Sequence, residues 1–197
     1  MLRTCETKLT TVQKPKTIRQ LCAIDTSVLQ KMIARIPERS WDIADAQKEN
    51  QFFCFHHTQH MIFRFIPGNQ DPHSYYETPV WKLWEPVLSP IFEQAVASYQ
   101  FERPIYPKAM LARLLAGHSI DMHVDGAGSN LLTHKIHIPV QTNQDVLFFS
   151  ENCPFHLSEG VAYEVNNVKP HGVKNGGSRD RIHLIFEVFD AASEYKL

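Results

Sequence analysis

The sequence has no long apolar run, no charge imbalance and no secretory leader pattern. No stretch approaches the roughly 20 apolar residues that a membrane-spanning helix needs, and the first sixteen residues lack the apolar segment of a signal peptide. Basic residues number 20 and acidic residues 21, so no long-range electrostatic attraction to nucleic acid or anionic lipid is expected. These absences predict a cytoplasmic protein without nucleic-acid or membrane partners.

Paired cysteine motifs are also missing. The four cysteines are scattered and form no CxxC pair (Cys5, Cys22, Cys54 and Cys153). We therefore expect free thiols in a reducing compartment and no cysteine-based zinc site. Histidine is plentiful, with 11 residues, and the positions of these histidines carry most of the functional argument.

The chain length of 197 residues suits one domain with its own core. We expect residues 1–109 to be a supporting region of helices and strands, and residues 110–190 to form the core that carries the metal site. Residues 1–20 lack apolar periodicity and predict a draped terminus. Asp25, Thr26 and Ser27 offer N-caps for a helix that Pro37 ends.

Two further patterns fall in the supporting region. Residues 52–66 are apolar and aromatic around a polar centre, which predicts two strands joined by a turn. The apolar stripe from Trp81 to Tyr99 predicts a helical core face, which we expect to restart at Pro90 after the capping Ser89. Trp81 and Trp84 suit either a core or a dimer face, so the expected state is a monomer or a homodimer.

From Met110 onward the apolar period changes from 3.6 to 2. Short segments separated by glycine and asparagine turns predict strands, and this spacing is typical of a sandwich or barrel, with a jelly roll as the natural candidate. The predicted fold class is mainly β with N-terminal helices and a double-stranded β-helix (cupin-like) core. The predicted strands are 110–116, 120–123, 131–141, 146–150, 161–165, 171–174 and 181–189.

One strand carries His123 and Asp125. Residues two apart in a strand point to the same side, so this imidazole and this carboxylate face one spot. His171 follows 48 residues downstream. Two histidines and one carboxylate form the facial triad of non-haem Fe(II) oxygenases, which leaves positions open for a chelating co-substrate and O₂. Zinc also accepts these ligands, so the ligand types alone do not choose the metal.

Arg181 lies ten residues after His171, on the far arm of a hairpin turned at Asn175-Gly176-Gly177. Alternation along this strand leaves Arg181 and His183 on the face opposite to its apolar residues. An inward arginine without an acidic neighbour suits bidentate capture of a dicarboxylate; the alternative is a solvent-facing arginine at a strand start. Arg113, a charge within an apolar run, either reaches a co-substrate or substrate carboxylate or lies at the surface.

Other histidines are weaker candidates. His56, His57 and His60 have no carboxylate at ligand spacing, so we expect no metal site there. His134 alternates away from the residues of the site and is expected to pack or to face solvent.

Several ordered motifs together resemble the aspartyl/asparaginyl β-hydroxylase-like dioxygenases, including small bacterial members and the cis-proline hydroxylases. The resemblance covers residues 110–190. Its motifs are HVD (123–125), THKIHIPVQTN (133–143), EGVAYEVNN (159–167), HGVKN (171–175) and RIHLIFEVF (181–189).

The resemblance implies a jelly-roll core and oxidative decarboxylation of 2-oxoglutarate to succinate, with Fe(II) and O₂. It implies that His123, Asp125 and His171 bind Fe(II) and that Arg181 holds the distal carboxylate of 2-oxoglutarate. His137 would lie near the keto-acid carboxylate. Lys135 stands where such sequences often have arginine, which keeps the charge but loses the planar fork.

The expected reaction is hydroxylation of an amino acid, a small metabolite or a protein side chain, with a small molecule or peptide as substrate. Two alternatives stay open. One is a cupin-like metal enzyme that does not use 2-oxoglutarate. The other is an inactive relative that senses metal or keto acid.

Overall fold

The computed structural model describes residues 11–48, 53–151 and 153–192. Two antiparallel sheets lie face to face. The larger sheet has the strand order β1-β9-β6-β11-β4-β2-β3, and the smaller has the order β5-β10-β7-β8. The strands are β1 Ile18–Ala23, β2 Thr58–Phe65, β3 Tyr76–Glu77, β4 Pro104–Leu114, β5 Ser119–His123, β6 His134–Gln141, β7 Val146–Ser150, β8 Cys153–Phe155, β9 Val161–Val165, β10 His171–Asn175 and β11 Arg181–Asp190.

The helices are α1 Ser27–Ile33, α2 Glu38–Ala46, α3 Trp81–Val96 and α4 Ser129–Leu132. Helix α3 packs seven buried side chains toward the larger sheet, among them Trp81 and Trp84. The predicted core face is therefore observed. The predicted restart at Pro90 is wrong, because α3 runs unbroken through Pro86 and Pro90. Each proline removes one backbone donor, and the packed apolar face keeps the helix intact.

Strand β11 has a central position in the larger sheet, between β6 and β4. Its even-numbered residues, Ile182 to Val188, join the core that contacts the helices. Because side chains alternate along a strand, the odd-numbered residues face the smaller sheet. Those residues are Arg181, His183, Ile185 and Glu187, so three buried polar side chains lie between the two sheets.

The sequence predictions for the supporting region need two corrections. Residues 53–66 hold a 3-10 turn at Phe53–Phe55 followed by the single strand β2, and not two strands. Residues 18–23 form strand β1, which pairs with β9, although their apolar pattern is too weak to predict it. Residues 11–17 form no helix or strand, while residues 1–10 of the predicted draped terminus and residue 52 lie outside the described part of the chain.

The predicted fold class is confirmed, since the chain is mainly β, with α1, α2 and α3 contributed by the first half and two facing antiparallel sheets. Strands β5, β7, β9, β10 and β11 begin within one residue of the predicted positions. Across the described residues, the helices are all too short or too polar to cross a membrane.

Candidate metal and co-substrate site

His123, Asp125 and His171 converge at one edge of the smaller sheet. His123 ends β5 and His171 begins β10, and these two residues are direct cross-strand partners. The Nε2 atom of His123 lies 3.6 Å from Asp125 Oδ1, and Nε2 of His171 lies 3.9 Å from the same oxygen. Within the described residues, no other group of three His, Cys, Asp or Glu side chains has its ligand atoms within 4.8 Å of one another.

Both imidazoles are oriented by backbone carbonyls. His123 Nδ1 donates to the carbonyl of Asp121 at 2.8 Å, and His171 Nδ1 donates to the carbonyl of Lys169 at 2.9 Å. A carbonyl only accepts, so each ring carries its proton on Nδ1 and presents the lone pair of Nε2 to the shared centre. Metal-binding histidines are usually held in this way.

The carboxylate of Asp125 is held through its other oxygen. Oδ2 accepts hydrogen bonds from Lys135 Nζ and from Asn167 Nδ2, the latter at 3.1 Å. The backbone N–H of Asp125 also donates to the carbonyl of Asn167, at 3.0 Å. Burial opposes ionisation, but the charge of Lys135 and hydrogen bonding outweigh it and hold the pKa of Asp125 well below its usual value. One ionised oxygen therefore stays directed at the two histidines.

Lys135 lies between two carboxylates. Its ammonium group contacts Asp125 and lies 3.9 Å from Oε1 of the buried Glu187. Burial lowers the pKa of Lys135, but these two negative charges outweigh burial and raise it. Glu187 also accepts 2.8 Å hydrogen bonds from Lys108 and Thr133. Lys135 is thus a partner of the Asp125 carboxylate, and it also lines the cavity.

A second group between the sheets has fewer of its hydrogen-bonding atoms paired. It consists of Arg181, His137 and His183. Each is buried, and each has at least one side-chain nitrogen that finds no hydrogen-bond partner among the described residues: Arg181 Nε, both ring nitrogens of His137, and His183 Nε2. Burial lowers the pKa of Arg181 to about 9, so it remains a cation near neutral pH. Burial, and then the charges of Arg181 and Lys135, hold the pKa of His137 well below its usual value.

A cavity of about 460 Å³ connects these groups. Its polar lining includes the three clustered ligands together with Lys135, His137 and Arg181, while its walls are largely apolar. Ligand pockets of proteins have this size and this combination of apolar walls with a few convergent polar groups. The aromatic residues of the wall are Phe53, Phe55, Phe65 and Phe148.

The structure does not bring Arg113 to this cavity. Its guanidinium group binds Asp180 at 2.5 Å and Glu38 at 2.7 Å and lies over the ring of Trp41. Arg113 alternates with Ala112, which does line the cavity. The geometry thus favours the second of the two roles open to Arg113, an ion-paired side chain on the outer side of β4.

Sequence reasoning missed two residues that support the site. The buried side-chain amide of Asn167 donates to Asp125 Oδ2 and to Asn130 Oδ1, each at 3.1 Å. His60 lines the cavity and is separated from His123 by the ring of Phe55. Neither position follows from spacing along the chain, because the contacts from Asn167 to Asp125 and from Phe55 to His123 join segments that are distant in sequence.

The two imidazoles and the carboxylate fit an octahedral metal with one face of protein ligands, which suits non-haem Fe(II). The guanidinium of Arg181 is buried and pairs with no carboxylate of the described residues, so it fits the carboxylate of an organic acid in the same cavity. Zinc remains compatible with the ligand types alone.

Comparisons with known proteins agree with this arrangement. The sequence model of the family described as aspartyl/asparaginyl beta-hydroxylase matches residues 86–191. That range contains the three clustered ligands, Lys135, His137 and Arg181. A comparison with curated protein sequences gave no match to the chain.

Two solved structures resemble the whole fold. An oxidoreductase of the 2OG-Fe(II) oxygenase family from Burkholderia pseudomallei has a TM-score of 0.57 at 12% identity, covering 92% of this chain and 94% of that one. A viral collagen prolyl hydroxylase from Paramecium bursaria Chlorella virus-1, solved as a 2OG complex, has a TM-score of 0.51 at 8% identity, covering 88% and 96%. At these identities the likeness establishes the fold.

Proposed function

The chain belongs to the aspartyl/asparaginyl β-hydroxylase family, and on that basis we propose that it is an Fe(II)- and 2-oxoglutarate-dependent dioxygenase. Its proposed reaction oxidises a C–H bond of a substrate, most simply by hydroxylation, while 2-oxoglutarate becomes succinate and CO₂. The observation that carries the proposal is that one cavity holds both the His123/Asp125/His171 cluster and Arg181, which pairs with no carboxylate of the described residues.

The metal would be held by His123 Nε2, His171 Nε2 and Asp125 Oδ1. The backbone carbonyls of Asp121 and Lys169 keep the two imidazoles in the tautomer that ligation requires. Iron bound there supplies activation of O₂ and a Lewis-acid anchor for the keto acid. Lys135 and Asn167 hold the second carboxylate oxygen and so keep Asp125 from turning away.

The co-substrate would lie along the inner face of the larger sheet. Arg181 offers a fixed positive charge for the distal carboxylate, and that charge is uncompensated because no carboxylate of the described residues pairs with it. His137 is neutral and buried, so its unpartnered ring nitrogens are suited to hydrogen-bond the other end of the keto acid. The apolar walls limit water access to the reacting groups.

We propose that the whole chain works as one dioxygenase domain. Strands β1, β2 and β3 come from the supporting region, yet they extend the same sheet that carries Arg181. The substrate class is proposed only as an amino acid, a small metabolite or a protein side chain small enough for the cavity.

The test is succinate formation from 2-oxoglutarate by the purified protein with Fe(II), in air, with a panel of amino acids and peptides. We expect the wild type to form succinate and the His123→Ala variant to lose it. An Asp42→Asn variant, altered at the surface of α2, is the matched control and should keep wild-type turnover. Succinate formation that survives in His123→Ala, or metal-dependent activity that ignores 2-oxoglutarate, would contradict the proposal; the second result indicates a cupin-like enzyme.

A further inference from the structure

Arg181 and His183 form a buried pair on the inner face of β11. Arg181 Nη2 donates a hydrogen bond of 2.7 Å to His183 Nδ1, and each residue is 1% exposed. A guanidinium group has only donors, so Nδ1 must be the acceptor and the ring proton must lie on Nε2. The contact thus selects one neutral tautomer of His183.

The partner of Arg181 is unusual in its charge. Buried arginines are normally paired with carboxylates, but no ion pair joins Arg181 to a carboxylate within the described residues. Burial, and then the neighbouring charge of Arg181, hold the pKa of His183 well below its usual value. His183 therefore occupies one donor of the guanidinium without cancelling its charge.

The alternatives at position 183 would behave differently. A carboxylate would satisfy Arg181 and compete with an incoming dicarboxylate for the same donors. An aliphatic side chain would leave the guanidinium without a fixed orientation. The neutral acceptor avoids both outcomes. Arg181 Nε and His183 Nε2 are buried donors that have no partner among the described residues.

We propose that His183 is a positioning residue, which holds Arg181 in place and keeps its charge available to the distal carboxylate of 2-oxoglutarate. This inference rests on the proposed function and adds to it a determinant of co-substrate selectivity. The choice of a dicarboxylate over a monocarboxylate keto acid depends on the pair formed by Arg181 and His183, and not on Arg181 alone.

The first test compares affinities for 2-oxoglutarate and for 2-oxobutanoate, which lacks the distal carboxylate, by anaerobic calorimetry on the Fe(II)-loaded protein. His183→Gln keeps an acceptor and a donor, and should stay within about threefold of wild type for 2-oxoglutarate. His183→Leu should weaken 2-oxoglutarate about tenfold or more, the usual scale for a hydrogen bond to a charged group. Affinity for 2-oxobutanoate should not change in either variant.

A variant that introduces a negative charge and a matched control sharpen this comparison. His183→Glu should weaken 2-oxoglutarate about 100-fold, because it neutralises Arg181 within the protein. His134→Gln removes a buried histidine from the opposite face of the sheet, where His134 binds Glu164, and should leave the selectivity unchanged. Equal selectivity in wild type, His183→Leu and His183→Glu would overturn the inference.

A second measurement does not depend on any ligand. Nitrogen-15 NMR of the histidine-labelled, metal-free protein reads the tautomer of His183, whose signal is identified by its loss in His183→Gln. We expect the Nε2-protonated tautomer, and we expect it to be perturbed in Arg181→Met. The Nδ1-protonated tautomer in the wild type would overturn the positioning role. Absence of 2-oxoglutarate binding in a wild type with the expected tautomer would instead overturn the proposed function.

Discussion

Two buried polar clusters lie on opposite faces of the larger sheet, and they differ in how well their hydrogen bonds are satisfied. On the helix side, Glu164 accepts hydrogen bonds from Arg19 at 2.6 Å, Tyr99 at 2.8 Å and His134 at 2.5 Å. On the inner side, Arg181, His137 and His183 have buried nitrogens without partners in the part of the chain that the structure describes.

The difference indicates different roles for the two clusters. A buried donor without a partner costs about 1–3 kcal/mol, so a satisfied cluster stabilises the fold and an unsatisfied one is retained for another reason. The cluster at Glu164 joins β1, β6, β9 and the turn after α3, which is a structural task. The inner cluster borders the cavity and the candidate ligands His123, Asp125 and His171, so its donors are suited to a bound molecule.

The largest expected effect is on metal binding. His171→Ala removes one of two imidazole ligands and should weaken Fe(II) affinity by more than about 100-fold, since loss of outer partners alone costs about 10- to 100-fold. Metal affinity is measured by anaerobic calorimetry. Glu164→Gln is the matched control from the other cluster and should bind Fe(II) normally; equal loss in both variants would refute the division of roles.

The second prediction concerns Arg181, whose replacement should weaken 2-oxoglutarate binding without lowering the stability of the fold. Arg181→Met should lower 2-oxoglutarate affinity about 100-fold through loss of a charge-assisted contact. The same variant should unfold at an equal or higher temperature, because it removes an uncompensated buried charge. Calorimetric affinity and thermal unfolding are measured on the same sample. A clear drop in thermal stability would mean that Arg181 serves the fold.

The third effect concerns the satisfied cluster. Glu164→Gln should lower the free energy of unfolding by about 2 kcal/mol, because the hydrogen bonds from Arg19, Tyr99 and His134 lose their ionised acceptor. Urea unfolding at neutral pH measures the loss. Co-substrate affinity should stay at the wild-type value.

The contribution of Glu164 to the free energy of unfolding should depend on pH. Burial raises the pKa of Glu164, but the hydrogen bonds from His134 and Tyr99 and the charges nearby outweigh it, so the folded pKa lies below the ordinary value of 4.5. The unfolded state therefore binds the proton first as pH falls. The stabilisation is present above pH 4.5 and is lost as pH drops through the folded pKa. Glu164→Gln should flatten that part of the stability curve.

The smallest effect is expected at Arg113. Arg113→Met breaks ion pairs to Glu38 and Asp180, of which Glu38 is largely exposed, so the loss should be about 1 kcal/mol or less. Urea unfolding measures it, with 2-oxoglutarate affinity as the second readout. If Arg113→Met lowered the affinity for 2-oxoglutarate, Arg113 would have a role in co-substrate binding, which would contradict its assignment to the outer side of β4.

Part of the candidate site could be predicted from the sequence. The sequence predicted that His123 and Asp125 lie side by side, and the residue count across the hairpin at Asn175 predicted that Arg181 lies on the strand after His171. The two-residue strand period does not by itself explain the first of these placements, because β5 ends at His123 and Asp125 lies just beyond it. The observed cluster of the three ligands and the buried Arg181 agree with those expectations. The same period predicted most strands from β4 to β11.

Other features depend on contacts between distant segments and could not be predicted in this way. The hydrogen bonds from Lys135 and Asn167 to the Asp125 carboxylate arise only when β6 and the segments after β5 and β9 come together. The strand β1 is polar on its exposed side and was missed, because pairing with β9 and not periodicity defines it. In residues 53–66, aromatic composition suits a strand and a 3-10 turn equally.

The central claim is that the unsatisfied inner cluster is a co-substrate site beside a metal. Its most direct test is anaerobic titration of the metal-stripped protein with Fe(II) and then 2-oxoglutarate, while the visible charge-transfer band of the iron–keto-acid chelate is recorded. The account predicts a band in the wild type that saturates at much lower 2-oxoglutarate concentration than in Arg181→Met. A wild type that binds Fe(II) but develops no band, or a variant that titrates like the wild type, would contradict it.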